Sequence, residues 1–143
     1  EELYKMWYNP VVTDTYEPGS TFKLMNVATA YELGVVHAED TFYCGGSMMV
    51  GDWKEPIKCH NTNGHGSQTL TQAVMNSCNV AMMQIVAKTG RERFYDFFKA
   101  FGMNSRTGID LPNESPGIFF DVEDSTSWNE VSLAVSSFGS ASR

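Results

Sequence analysis

The chain has 143 residues, a formal net charge of −7, 42% hydrophobic and 13% aromatic residues. Those values suit one globular unit, or a piece of one, and exclude a disordered chain, which has few bulky apolar groups. The acidic balance and the lack of a basic stripe argue against nucleic acid as a partner, because phosphate contacts need clustered Lys and Arg. No apolar run approaches the roughly 18 residues of a membrane span, and no signal peptide is recognisable.

Residues 1–16 read as a loop or short extended segment, closed by Pro18-Gly19. Leu24, Val27, Ala28 and Tyr31 then recur at i, i+3, i+4 and i+7, which predicts one apolar helix face. Gly34 is its expected stop. Between Phe42 and Cys59 the pattern breaks around Gly45-Gly46, Gly51-Asp52 and Pro56, and a small hairpin is expected. Residues 61–66 read as a loop. Thr69 with Gln72 resembles a capping box opening a short helix from Leu70 to about Asn76. A second helix is predicted from Val80 to Lys88, stopped by Gly90. A third carries Phe94, Phe97, Phe98 and Phe101 as an aromatic stripe, closed by Gly102. Such a stripe packs into a core far more often than it lines a ligand groove. Residues 107–117 hold two Pro and two Gly and read as a loop. In the tail, Ser127 and Glu130 suit a helix cap while Val131, Leu133 and Val135 alternate like a strand, so that segment stays unassigned.

Cys44, Cys59 and Cys78 are three, which rules out a complete disulfide framework, although Cys44 and Cys59 flank a turn-rich segment and could face each other. Cys59, His60 and His65 match none of the usual zinc-ligand spacings, so no metal site is expected.

The chemistry centres on Ser20-Thr21-Phe22-Lys23. On a helix starting at or just before Ser20, Lys23 stands one turn above it on the same face. A serine hydroxyl attacks poorly until a neighbour takes its proton. A lysine amine can take it when neutral, and burial in an apolar pocket favours that state. The helix N-terminus also offers N–H groups to a developing oxyanion. Ser-x-x-Lys alone is weak, because serine is a favoured N-cap and the pattern arises by chance. Ser77-Cys78-Asn79 adds a second element at a turn between two predicted helices. There Ser77 can pass a proton between Lys23 and a leaving group, and Asn79 can hold a substrate amide, or merely cap the next helix.

Glu17-Pro18-Gly19-Ser20-Thr21-Phe22-Lys23, Cys44-Gly45-Gly46, Gly64-His65-Gly66, Ser77-Cys78-Asn79 and Thr107-Gly108-Ile109-Asp110-Leu111-Pro112 follow one another in order. Together they resemble the transpeptidase domain of penicillin-binding proteins, most of all the class B, monofunctional type used in division or sporulation. The resemblance implies a mainly α chain with a small β-hairpin: the helical portion of the penicillin-recognising α/β fold, lacking most of its central sheet. It covers residues 1–139 as a partial transpeptidase domain, with 140–143 as a tail of foreign sequence. It implies a D,D-transpeptidase of peptidoglycan cross-linking that uses no cofactor and no metal. Ser20, Lys23 and Ser77 would be catalytic and Asn79 substrate-binding. The implied partners are peptidoglycan stem peptides and β-lactam antibiotics. The parent would be membrane-anchored at the extracytoplasmic face of the bacterial membrane, beside other cell-wall synthesis proteins.

The third motif of that family, Lys-Thr-Gly followed by Ser or Thr on a sheet strand, does not follow here. Lys88-Thr89-Gly90 lies nine residues after Asn79 and reads as a helix end. The expected consequences are a cleft missing one wall and an oxyanion donor, weak acylation by these residues alone, and apolar surface that favours self-association. Two rival readings share the sequence. One is a serine β-lactamase, distinguished by rapid deacylation; the other is a catalytically idle domain that senses β-lactams or scaffolds a complex.

Overall fold

Residues 3 and 6–140 are described in the computed structural model. Where the sequence suggests a loop at the start, Asn9 caps a short helix α1, Pro10–Thr13, its side chain accepting from the Val11 N–H. A 3₁₀ turn, Gly19–Phe22, runs straight into α2, Lys23–Glu32. Four short strands follow: β1, Thr41–Cys44; β2, Ser47–Met48; β3, Ile57–Lys58; and β4, Gly66–Thr69. Then come α3, Leu70–Met75, α4, Asn79–Thr89, α5, Arg91–Ala100, and, after a long irregular stretch, α6, Glu130–Ser136.

The strands form two antiparallel pairs, nested one inside the other. β2 pairs with β3 as the expected hairpin, Met48 opposite Ile57. β1 skips it to pair with β4, Phe42 opposite Gln68 and Cys44 opposite Gly66. The sequence concealed β4, because its residues Gly-Ser-Gln-Thr show neither alternation nor β-branched enrichment before the cap.

Helix signals were more legible. The Thr69–Gln72 capping box is made in both directions. α4 ends at Gly90, as expected. The unassigned tail is a helix because Asn129, not Ser127, caps it, in a reciprocal box with Ser132. The face expected for α2 is corrected: Leu24 and Tyr31 are exposed, while Lys23, Met25, Asn26, Thr29 and Ala30 point inward. The inward polar groups explain the rotation. The Lys23 amine donates to Ser77, and the Asn26 amide donates to the Met82 carbonyl at 3.1 Å, so both have partners that outweigh the lost apolar burial.

α4 is the central element, with Val80, Ala81, Met82, Met83, Ile85, Val86 and Thr89 all buried. It packs against α2 on one side and α6 on the other. Two clusters make up the core. One, aliphatic and sulfur-rich, joins Ala30, Phe42, Cys44, Cys59, Leu70, Cys78, Met82, Met83 and Ile85. The other is aromatic and joins Phe22, Phe94, Phe98, Trp128 and Leu133. The α5 stripe contributes Phe94 and Phe98 to it, while Phe101, at the helix end, remains 49% exposed.

Candidate active site

Ser20 lies in the 3₁₀ turn just ahead of α2, and its neighbour Phe22 anchors that turn in the aromatic cluster. Ser20 lines the cleft described below. Ser77 comes from the turn between α3 and α4, and its backbone has φ +48°, a left-handed conformation rare for serine. Such an outlier persists only where surrounding structure fixes it, and functional sites concentrate them. Here Ser77 and Cys78 N–H groups donate to the Val74 and Ala73 carbonyls at 2.9 and 3.0 Å.

The three groups meet in a line. The Lys23 amine, 4% exposed, donates to the Ser77 carbonyl at 2.6 Å and to Ser77 Oγ at 2.8 Å. Ser77 Oγ in turn donates to Ser20 Oγ at 3.1 Å. Ser20 therefore reaches Lys23 through Ser77. Burial lowers the Lys23 pKa from the ordinary lysine value of 10.5, while the Cys59 and Cys78 thiols nearby oppose the shift. The site thus holds an amine pressed towards its neutral, basic form and a two-step path for a proton.

Asn79 opens α4 but does not cap it; that place belongs to Cys78, whose sulfur accepts from the Ala81 N–H at 3.4 Å. The Asn79 amide instead donates to the Lys58 carbonyl at 3.4 Å, tying β3 to the cleft edge. Ser20, Ser77 and Asn79 share an open cleft of about 410 Å³ with Glu17, His60, Phe138 and Gly139. The last four were not singled out as site residues from sequence. Gly139 owes its place to a contact distant in sequence: a Cβ there would sit 2.1 Å from the Gly19 carbonyl oxygen, so only glycine lets the α6 end press on the Ser20 turn. The Gly19 N–H donates to the Gly139 carbonyl at 3.0 Å across this contact. His60 was weighed from sequence only as a metal ligand, and its place in the cleft depends on how the loop after β3 folds back.

Lys88-Thr89-Gly90 closes α4. Thr89 is buried with its hydroxyl on the Ile85 carbonyl, and Lys88 pairs with Asp40 at 3.5 Å, outside the residues lining the Ser20 cleft. All three cysteines are buried and free. Of the proposed tail, Ser140 donates its N–H to the Val135 carbonyl at 3.1 Å, and residues 141–143 lie outside the described ones. Among the described residues, no helix is long and apolar enough to cross a membrane.

A helical unit that presses a buried lysine onto paired serines at a helix start defines a class, the serine-nucleophile acyl-transfer domains. The chain belongs to the penicillin-binding protein transpeptidase domain family, whose model matches residues 1–142. It is 40% identical over 116 residues to stage V sporulation protein D of Bacillus subtilis, covering 80% of this chain and 18% of that protein. It is 32% identical to the penicillin-binding protein PbpB of Mycobacterium tuberculosis, covering 77% of this chain and 16% of the relative. The chain thus spans less than a fifth of the length of these two relatives. A peptidoglycan synthetase structure from Bifidobacterium adolescentis superposes with TM-score 0.84 at 28% identity, over 99% of this chain and 25% of the other. A Pseudomonas aeruginosa PBP2 structure shares the fold with TM-score 0.85 at 21% identity, over 98% of this chain and 33% of the other. The expected helical portion of that fold is what the structure contains.

Proposed function

We propose that this chain supplies the nucleophile-bearing part of a peptidoglycan D,D-transpeptidase. The single observation that carries the reading is the hydrogen-bonded line from buried Lys23 through Ser77 to Ser20, the two serines lining an open cleft. Ser20 Oγ attacks the carbonyl carbon of the penultimate D-alanine of a stem peptide. Its proton passes to Ser77, and the proton of Ser77 passes to the neutral Lys23 amine. The carbon–nitrogen bond to the terminal D-alanine then breaks, and the proton returns through Ser77 to that leaving amine. Ser20 is left as an ester, which the amine of a neighbouring stem resolves into a cross-link. Asn79, at the cleft edge, holds the substrate amide. β-Lactams, whose ring amide stands in for the terminal peptide bond, acylate the same hydroxyl. The parent works at the extracytoplasmic face of the membrane, anchored there with other cell-wall synthesis proteins. Likeness to relatives named as penicillin-binding proteins, in sporulation among other roles, supports this setting.

The test is intact-mass spectrometry of the full-length protein with a β-lactam. One adduct per chain is expected, and none for Ser20→Ala. Full labelling of Ser20→Ala overturns the assignment.

A further inference from the structure

Cross-linking needs two substrates: a donor stem that acylates Ser20 and an acceptor amine that resolves the ester. Under the proposed reading, Ser20, Lys23, Ser77 and Asn79 all serve the donor. The acceptor reaches the protein as an alkylammonium ion, because such amines have pKa values of about 10 in water. A cation entering a cleft is favoured by a counter-charge there.

Glu17 is the sole acidic side chain among the described residues lining the cleft that holds Ser20. Ser20, Ser77, Asn79 and Ser140 line it with neutral polar groups, and Phe138 with an apolar one. Glu17 stands three residues before Ser20. That much chain spans at most about 11 Å, so both side chains lie within reach of one small substrate. Glu17 is exposed, and its carboxylate is open to solvent and to an incoming group.

The backbone between the two is held in place. Pro18 has φ −67°, and its carbonyl accepts from Thr21 Oγ1 at 2.8 Å. The Gly19 N–H donates to the Gly139 carbonyl at 3.0 Å. These bonds fix where the Glu17 side chain leaves the chain. Ser140 Oγ donates to Glu17 Oε2 at 3.4 Å, near the long limit for a hydrogen bond. An ammonium N–H competes well for that oxygen, since charge-assisted bonds are shorter and stronger.

A purely structural role fits less well. Carboxylates stabilise helices from within the first turn, and the turn Gly19–Phe22 has no acidic residue in it. The residues that suit the donor come from elsewhere. Asn79 reaches the Lys58 carbonyl at 3.4 Å, and His60 follows two residues later, so α4 and the end of β3 supply them. Glu17 arrives instead beside the α6 end. A carboxylate there also repels the terminal carboxylate of a donor stem, which keeps the place clear for the second substrate.

We propose that Glu17 is the acceptor-binding residue, whose carboxylate draws the ammonium group of the second stem into the cleft beside the Ser20 ester. The inference rests on the acyl-transfer reading of Ser20. The bound ammonium releases one proton to solvent through the open cleft. Its nitrogen then bonds to the ester carbonyl carbon, and the bond from that carbon to Ser20 Oγ breaks. A second proton leaves the nitrogen and returns through Lys23 and Ser77 to Ser20 Oγ, restoring the hydroxyl. One proton is released per cross-link, Glu17 stays an anion throughout, and nothing is oxidised or reduced. Water, the rival nucleophile, carries no charge and gains nothing from Glu17. The residue therefore biases the acyl-enzyme towards cross-linking and away from hydrolysis.

The test measures how the acyl-enzyme divides between those fates. The full-length protein is acylated with an N-acyl-D-alanyl thioester, and Nα-acetyl-lysine amide is added as a cationic acceptor. Both products come from one acyl-enzyme, so their ratio does not depend on how fast Ser20 is acylated. Glu17→Gln should lower the ratio of aminolysis to hydrolysis about tenfold, the low end of what a charged cleft adds to capture of a counter-ion. With hydroxylamine, which is uncharged at neutral pH, the ratio should barely change. Added salt should erode the lysine-amide advantage of the unaltered protein and leave that of Glu17→Gln unmoved. Glu17→Asp should recover part of the loss. An unchanged ratio with the cationic acceptor overturns the proposal, as does an unaltered protein that performs no aminolysis. An equal fall with hydroxylamine also overturns it, because it marks Glu17 as a support of the turn. Absence of any Ser20 adduct on the unaltered protein is a separate result, which overturns the acyl-transfer reading together with this one.

Discussion

The two core clusters differ in kind, and Ser20, Lys23 and Ser77 sit on the seam between them. Phe22, which with Thr21 lies between Ser20 and Lys23, plugs into the aromatic cluster, 6.3 Å from the Phe94 ring and 6.1 Å from Phe98. Cys78, between Ser77 and Asn79, plugs into the aliphatic and sulfur-rich cluster instead. Each short motif is thus nailed down by its own middle residues, in opposite directions. The hydrogen bonds from Lys23 to Ser77 and from Ser77 to Ser20 are what cross from one side to the other. Large rings locked at edge-to-face and stacked distances give the Ser20 turn a stiff mount. Thiols and methionines make a softer one.

The largest effect should come from breaking the crossing at its basic end. Arginine stays protonated in proteins, so it cannot take the proton-accepting role proposed for Lys23. Lys23→Arg in the full-length protein should fold yet lose β-lactam acylation by about 10⁴-fold, the scale seen when one member of a catalytic unit is removed. Stopped-flow acylation within about tenfold of the unaltered rate, worth little more than 1.4 kcal/mol of barrier, would make Lys23 a structural residue.

Removing the aromatic mount should act on stability first. Phe94 is fully buried and contacts both Phe22 and Trp128. Phe94→Ala should cost about 3–5 kcal/mol by the transfer and cavity terms. Thermal unfolding measures that cost, and acylation at a temperature where the variant stays folded measures any tilt of the nucleophile turn. Loss of stability without loss of rate would show that the seam is held from the sulfur-rich side alone.

A subtler change separates strain from chemistry at the crossing point. Ser77→Gly relieves the left-handed backbone at φ +48° while deleting the hydroxyl between Ser20 and Lys23. Stability should be unchanged or slightly raised, since glycine adopts that conformation without steric cost. Acylation should fall by about 100-fold, the lower end of what a positioned proton-transfer group contributes. A fall smaller than threefold would mean that the proton travels directly from Ser20 to Lys23.

By itself, the sequence determined what rests on neighbours three or four residues apart. The Thr69–Gln72 box, the stop of α4 at Gly90, the inward Phe94 and Phe98, and the closeness of Ser20 to Lys23 all follow from local helix geometry. Ordered motifs then placed the chain in its family. Tertiary structure alone decided what depends on residues far apart in sequence. It rotated α2 so that Lys23 and Asn26 face inward, contrary to the Leu24–Tyr31 pattern, because Ser77 and Met82 supply partners that no local window contains. It paired β1 with β4 around an intervening hairpin, and so gathered Cys44, Cys59, His65 and Cys78 into one group. The physical reason is the same in each case. Periodicity shows which residues share a face, but only a partner from another part of the chain decides which face is buried and which side chains meet.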